Sequence, residues 1–201
     1  IQKKKDIRNK KLKNFFIGAY QSFLFNKWLS LRIDISHLLK LDENFKEVLI
    51  AYLHTQDIPK CLNDKQYCKM IKNQPHFFKL FVGDSMCHYP FGRNFTINKE
   101  SFNEDSQRFL RKDISIMGLL SGQKMQPMQD LAGFFEKDFV DSRIKSVGQR
   151  RYAWIFVEDL DFFYKEEEAQ GEFSFYLPKG VYATNLLREI AHQEIMQTKL
   201  E

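Results

Sequence analysis

Cysteine is scarce in this chain, and what there is falls at useless intervals. Cys61, Cys68 and Cys87 make an odd number with no Cys-x-x-Cys spacing, which excludes a disulfide framework and fits reduced thiols. His37, His54, His76 and His192 have no cysteine or carboxylate partner at ligand spacing, so no metal site is expected. His88 follows Cys87 directly, but adjacent strand residues point to opposite faces, which rules against a nucleophile pair. No apolar run reaches about eighteen residues, so no membrane-crossing helix is predicted. Basic residues ahead of Phe15 to Tyr20 imitate a secretory leader. Gln21, Ser22, Asn26 and Lys27 then break the stretch, no small-x-small cleavage site follows, and a cytoplasmic address is the expectation. Internal repeats and low-complexity tracts are also missing.

Positive charge is lacking outside one segment. The chain carries a formal +5. Residues 1–13 hold seven Lys and Arg against Asp6 alone, a local +6, so all the rest sums to −1. The basic balance is therefore a terminal feature, suited to phosphate or to a solvated helix start. It does not by itself define a nucleic-acid binder.

What the chain has is core material, with 43% hydrophobic residues and twenty phenylalanines among 201; a chain of this size buries roughly two-thirds of its unfolded surface. Periodicity predicts a long helix from Lys11 to Arg32, with Ile17, Tyr20, Leu24, Trp28 and Leu31 on one stripe widened by Phe16 and Phe23. A second helix runs from Asn44 to Thr55 and a short one lies within residues 60–72. Residues 77–82 and 86–96 read as strands joined by turns around Gly83-Asp84. A small helix ends at Leu110, Gly118 and Gly122 bracket a flexible loop holding Lys124, and helical spacing returns from Asp130 to Ile144.

The last third is the most informative. Trp154 and Phe156 alternate with Ile155 and Val157, apolar on both faces, as in a central strand covered on both sides. Phe173, Phe175 and Leu177 alternate with Glu172, Ser174 and Tyr176. Pro178 stops that strand, Gly180 permits a turn, and Thr184 or Ala183 can cap a helix through Ile190, which leaves Lys179 at a strand-to-helix corner. Two strands and a helix cannot cover a two-sided strand, so this part calls for a larger sheet. Glu158, Asp159 and Asp161, then Glu166 to Glu168, raise a carboxylate enzyme as a rival; a hairpin turn before Gly171 accounts for the second group by solvation.

Four segments carry a family resemblance, in order. Ala19-Tyr20-Gln21-Ser22-Phe23-Leu24-Phe25-Asn26 with Arg32, Gly83-Asp84 with Phe91-Gly92, Lys112-Asp113-Ile114-Ser115-Ile116-Met117-Gly118-Leu119-Leu120-Ser121-Gly122, and Leu177-Pro178-Lys179-Gly180-Val181-Tyr182-Ala183-Thr184 with Leu186 to Ile190 together resemble the TruD family of tRNA pseudouridine synthases. Leu119 departs from the proline often found there. The family's nucleophilic aspartate lies in an N-terminal Gly-x-Lys-Asp element and is followed by Asn-Tyr-Phe-Gly; this sequence has neither. Lys137-Asp138 lacks the glycine two positions earlier, and Lys112-Asp113 belongs to another motif. With Ile1 in first place, the expectation is the C-terminal part of a longer protein, its nucleophile upstream.

The resemblance implies an α/β (α+β) fold: residues 1–147 as an inserted α/β domain with a leading basic helix, and residues 148–201 as strands and a helix completing a mixed antiparallel catalytic sheet. It implies isomerisation of uridine to pseudouridine in tRNA, at position 13 in the family, with no metal or redox cofactor. Lys124, Arg150, Arg151 and Lys179 are the candidate RNA contacts. Arg150 and Arg151 face opposite ways on a strand, so at most one enters a given cleft, and pairing with Glu158, Asp159 or Asp161 is the other reading of both. The alternatives are a non-catalytic RNA-binding module and a protein-interaction domain built on the aromatic helix near Trp28.

Overall fold

A computed structural model describes residues 9–41, 44–178 and 181–192. It is a mixture of helices and antiparallel sheet that divides into two compact units, one ending at Trp154 and the other beginning at Ile155. Compact packing therefore divides seven residues beyond the boundary expected before Gly148. The strand at Gln149–Tyr152 pairs with the preceding unit, and the next turn of chain is tied there too.

The first unit is organised by α1 (Lys10–Leu41), which runs past the expected end at Arg32 because residues 33–41 contain no glycine or proline. Asn9 caps it, accepting from the amides of Lys11 at 3.0 Å and Leu12 at 3.2 Å. Its buried stripe is Gln21, Phe25, Trp28, Arg32, Ile35, Ser36 and Leu39. Of the stripe read from sequence only Trp28 is buried; Phe16, Tyr20 and Phe23 are exposed. The helix is rotated because three of its polar side chains have partners inside.

Next come α2 (Phe45–Leu53) and α3 (Lys65–Lys72), the latter capped by Asp64 through the amides of Gln66 and Tyr67. An irregular buried segment leads to the hairpin of β1 (Ser85–His88) and β2 (Asn94–Thr96), then α4 (Phe102–Leu110), β3 (Ile114–Leu120), α5 (Asp130–Glu136) and β4 (Gln149–Tyr152). The sheet is antiparallel in the order β2-β1-β3-β4. β3 lies inside it, buried along nearly its whole length, with α1 and α4 packed against it.

Gly118 belongs to β3, not to a flexible loop. A Cβ there would stand 2.3 Å from Trp28 and 2.6 Å from Phe25, so the glycine lets α1 lie directly on the strand. The hydroxyl of Ser115 in β3 donates to the carbonyl of Trp154, and the Ala153 amide donates to Ile116 at 2.9 Å. The Trp154 ring meets His76, Phe78 and Phe109. This corrects the two-sided strand expected at 154–157: ladder pairing stops at Tyr152, and the apolar residues after it turn rather than alternate.

Residues 77–82, expected as a strand, are irregular although Phe78 to Phe81 are buried. Buried peptide groups need partners, and here side chains supply them. The Lys79 amide donates to Ser36 Oγ at 3.0 Å, the Leu80 amide to Gln74 Oε1 at 2.9 Å, and the Phe81 amide to Asp84 Oδ2 at 2.7 Å. Arg32 and Gln74 donate to the carbonyls of Lys79 and Leu80 at 2.9 and 2.8 Å. Arg32 and Asp84, both fully buried, meet at 2.6 Å.

The second unit holds the hairpin of β5 (Glu158–Lys165) and β6 (Gln170–Tyr176), followed by α6 (Ala183–Ala191). Phe162 opposes Phe173, with ring centroids 4.7 Å apart. Glu166–Glu168 form the exposed turn. Tyr182, one position before the expected cap, holds the N-cap place of α6. Leu160, Phe162, Phe163, Tyr164 and Tyr176 are each more than half exposed, so this hairpin leaves apolar side chains uncovered on both faces.

Two outcomes follow for the first unit. Gly118→Ala should destabilise it by about 1–3 kcal/mol through overpacking against Trp28, read as a lowered unfolding midpoint. Burial holds the His76 imidazole below its ordinary value. The folded state then binds this proton less readily than the unfolded chain, so its stability is complete above about pH 6.5 and declines as pH falls below that. Exchange of the Phe78 amide, which donates to His76 Nδ1 at 3.1 Å, should accelerate relative to intrinsic rates on acidification, and His76→Gln should flatten that dependence.

Candidate functional site

The loop after β3 carries Lys124. Gly122 begins it, in a place where a Cβ would meet the Ser146 carbonyl at 2.5 Å. Gln123 bridges to Val147, its amide donating to Ser146 at 2.8 Å and its carbonyl accepting from Gly148 at 2.9 Å. At the far end Glu136 Oε2 accepts from the Met128 amide at 2.6 Å, and Arg150 donates to the Gln126 carbonyl at 2.8 Å. Lys124 stands between these pins, exposed, with a positive φ of 64°. The loop expected to be flexible is therefore tied at both ends.

Arg150 is a tie rather than a free phosphate contact. Its guanidinium meets Glu136 Oε1 at 2.5 Å, with side-chain exposures of 6% and 0%, so the pair is largely desolvated. Its ion-pair partner is Glu136 of α5, not Glu158, Asp159 or Asp161 as the pairing alternative had it. The signal for Glu136 lay in the helix period, since Leu131, Ala132, Phe135 and Glu136 form the buried face of α5 and the carboxylate falls on the apolar stripe.

Arg151 points to the opposite side, as the strand alternation required. It is exposed, lies 5.4 Å from the Phe25 ring and reaches Ser22 Oγ at 3.4 Å. Arg151 opposes Gly118 in the β3–β4 register, which puts it beside α1. Lys179 lies outside the described residues. The structure thus associates Lys124 and Arg150 in one network and sets Arg151 on the other face of the sheet.

A cavity of about 270 Å³ opens between this loop and the β1–β2 hairpin, with Ser85, Asn94, Thr96, Gln126 and Arg150 among its walls. Its lining mixes these polar groups with Met125, Pro127 and Met128. Among the described residues no three His, Cys, Asp or Glu side chains come together as a metal site. No helix among them is long and apolar enough to cross a membrane.

α1 touches each family-like segment of the first unit. Arg32 pairs with Asp84, Gln21 donates to the Ser121 carbonyl at 2.7 Å, and Trp28 and Phe25 rest on Gly118. Gly83 (φ 92°) and Asp84 join the base of the β1–β2 hairpin by reciprocal bonds with Ile97, each 2.9 Å. Motifs far apart in sequence are therefore parts of one packed α+β scaffold of the kind that presents loops to a ligand.

The family model described as tRNA pseudouridine synthase D (TruD) matches residues 60–190, well over half of the chain, and the chain belongs to that family. Among its curated relatives, proteins named tRNA pseudouridine synthase D from a Nitratiruptor species, Sulfurimonas denitrificans and Wolinella succinogenes are 46%, 47% and 43% identical, over 97%, 94% and 94% of this chain. The matches cover 51%, 49% and 49% of those relatives, so the chain spans about half their length. A solved chain described as a putative tRNA pseudouridine synthase D from Methanosarcina mazei overlays 76% of this chain and 42% of its own length at a TM-score of 0.46 and 17% identity, a distant likeness.

Removing Arg150 strands a buried carboxylate. Arg150→Ala should cost about 3–5 kcal/mol and release the loop, visible as faster exchange of the Met128 amide. Lys124→Ala should leave the unfolding midpoint unchanged. Equal midpoints for all three proteins would contradict the assignment of Arg150 as a tie.

Proposed function

We propose that the protein carrying this chain is a tRNA pseudouridine synthase, and that the chain contributes an inserted domain and the strands and helix that return to a catalytic sheet. The observation that carries the reading is membership of the TruD family, together with relatives bearing that name over nearly all of this sequence. The two-unit division and the uncovered hairpin of the second unit support a scaffold with a sheet to complete.

In this reading the reaction is isomerisation: an aspartate from the N-terminal half of the family pattern acts at the sugar, the glycosidic bond to N1 breaks, and the uracil rotates and rejoins through C5, which then gives up its proton while N1 takes one. The target base must leave its stack, at a cost of a few kcal/mol, and the protein has to hold the flanking backbone while that happens. Phosphate contacts position RNA without reading sequence, and exposed Lys124 and Arg151 are suited to that work, with Lys179 a third candidate. Arg150 acts indirectly, by holding the Lys124 loop through Glu136. Uridine 13 of tRNA is the proposed target, the cytoplasm the proposed address, and neither metal nor redox cofactor enters the scheme.

Tritium release from tRNA bearing 5-tritiated uridine, with the gene product containing this chain, tests the reading. Release is expected. Salt-sensitive tRNA binding without release would instead identify a non-catalytic RNA-binding protein. Lys124→Ala, Arg151→Ala and Lys179→Ala should each weaken tRNA binding and flatten its salt dependence, by about 0.7–0.9 in log–log slope for each phosphate no longer neutralised. Unchanged affinity in all three variants would remove the site assignment and leave the activity standing.

A further inference from the structure

The tip of the β1–β2 hairpin has a composition that the fold does not require. Phe91 is 74% exposed, and it makes no ring contact among the described residues. The turn beneath it is held on several sides. The Tyr89 amide donates to the Asp113 carbonyl at 3.0 Å, the Tyr152 hydroxyl to the Pro90 carbonyl at 2.6 Å, and the Gly92 amide to the His88 carbonyl at 2.8 Å. Gly92 is required there, since a Cβ would sit 2.2 Å from that of His88. A phenylalanine presented to water on an anchored turn loses little further freedom when a ligand covers it.

The surroundings are cationic and aromatic. Arg108 lies 5.4 Å from the Phe95 ring and bonds His88 Nδ1 at 3.1 Å, and His88 in turn packs on Phe95 at 5.1 Å. Exposed Arg93, Arg111 and Lys112 stand on this turn and on the Asp113 turn bonded to it. Asp105 pairs with Arg108 at 2.8 Å, and Asp113 with Arg111 at 3.1 Å. Arg93 has no ion-pair partner among the described residues, so its charge is uncompensated there.

We infer that this hairpin tip is a second RNA-contact site, distinct from the Lys124 loop, in which Phe91 stacks an unpaired base and Arg93 holds the adjoining phosphate. An exposed ring beside an uncompensated guanidinium matches the two features that single-stranded RNA offers, a π-face and a phosphate. A base within a duplex has no free face, so the site takes loop or splayed nucleotides. The inference deepens the proposed function and rests on that reading for the choice of RNA over other anions.

The test uses the gene product containing this chain, with a short single-stranded RNA bearing 2-aminopurine and, separately, tRNA. Stacking on Phe91 should quench the fluorophore. Phe91→Ala should abolish quenching and weaken binding by about 5- to 100-fold, and Phe91→Tyr should preserve both. Arg93→Gln should reduce the salt slope by about 0.7. All of these side chains are exposed, so unfolding midpoints should not move. Tritium release with unaltered RNA binding in Phe91→Ala would overturn this site and keep the synthase. Quenching that depends on Phe91 without tritium release would keep the site and overturn the synthase. No RNA binding by the unmodified protein would overturn both.

Discussion

The Arg32–Asp84 ion pair is the interaction on which the first unit depends. Both side chains are fully buried, and each does more than neutralise the other. Arg32 also donates to the Lys79 carbonyl and lies 4.3 Å from the Phe81 ring and 5.2 Å from Phe78. Asp84 also accepts from the Phe81 amide. Between them they satisfy the Lys79 carbonyl and the Phe81 amide of a segment that has neither helix nor ladder to do so, beside Ser36 and Gln74, which serve its other groups. A buried pair of this kind need not add net stability over apolar residues of the same shape, because both charges were taken from water. What it adds is geometry: a long helix, an irregular crossing and the start of a hairpin take one relative placement.

The long helix then distributes that placement. Gln21 fixes the end of β3 through Ser121, Trp28 and Phe25 bring β3 against the helix at Gly118, and Ser22 and Phe25 receive Arg151 from β4. The loop bearing Lys124 inherits its position from β3 on one side and from the Arg150–Glu136 pair on the other. The turn bearing Phe91 inherits its position from β1, from Tyr152 of β4 and from the Asp113 turn before β3. The Lys124 loop and the Phe91 turn are thus both tied to the scaffold by hydrogen bonds.

Local signals carried much of this. The helices around residues 45–53 and 102–110, the hairpin near residues 86–96, the alternation of Phe173 and Phe175 and the acidic turn at Glu166–Glu168 all rest on period or turn chemistry, and the structure contains them. Family resemblance identified Arg32, Asp84 and Gly118 as parts of motifs, without saying that they pack together. What escaped was long-range. The face of α1 could not be read because Gln21, Arg32 and Ser36 are buried with partners some 40 to 100 residues away, and a hydrophobic count assigns such residues to water. Residues 77–82 read as a strand because they are apolar, yet side chains replace the missing ladder. The pairing of Arg150 escaped because its partner sits on an element fourteen residues earlier, on a stripe that otherwise looks wholly apolar.

A double-mutant cycle on Arg32→Met and Asp84→Leu, read by hydrogen exchange at the Phe81 and Lys79 amides in the intact gene product, measures the central pair directly. Each single change should lower local stability by about 3–5 kcal/mol by leaving one charge buried alone. The double change should recover part of that loss, with a coupling of about 0.5–3 kcal/mol. Additive effects, or single changes that leave Phe81 protected, would contradict the account.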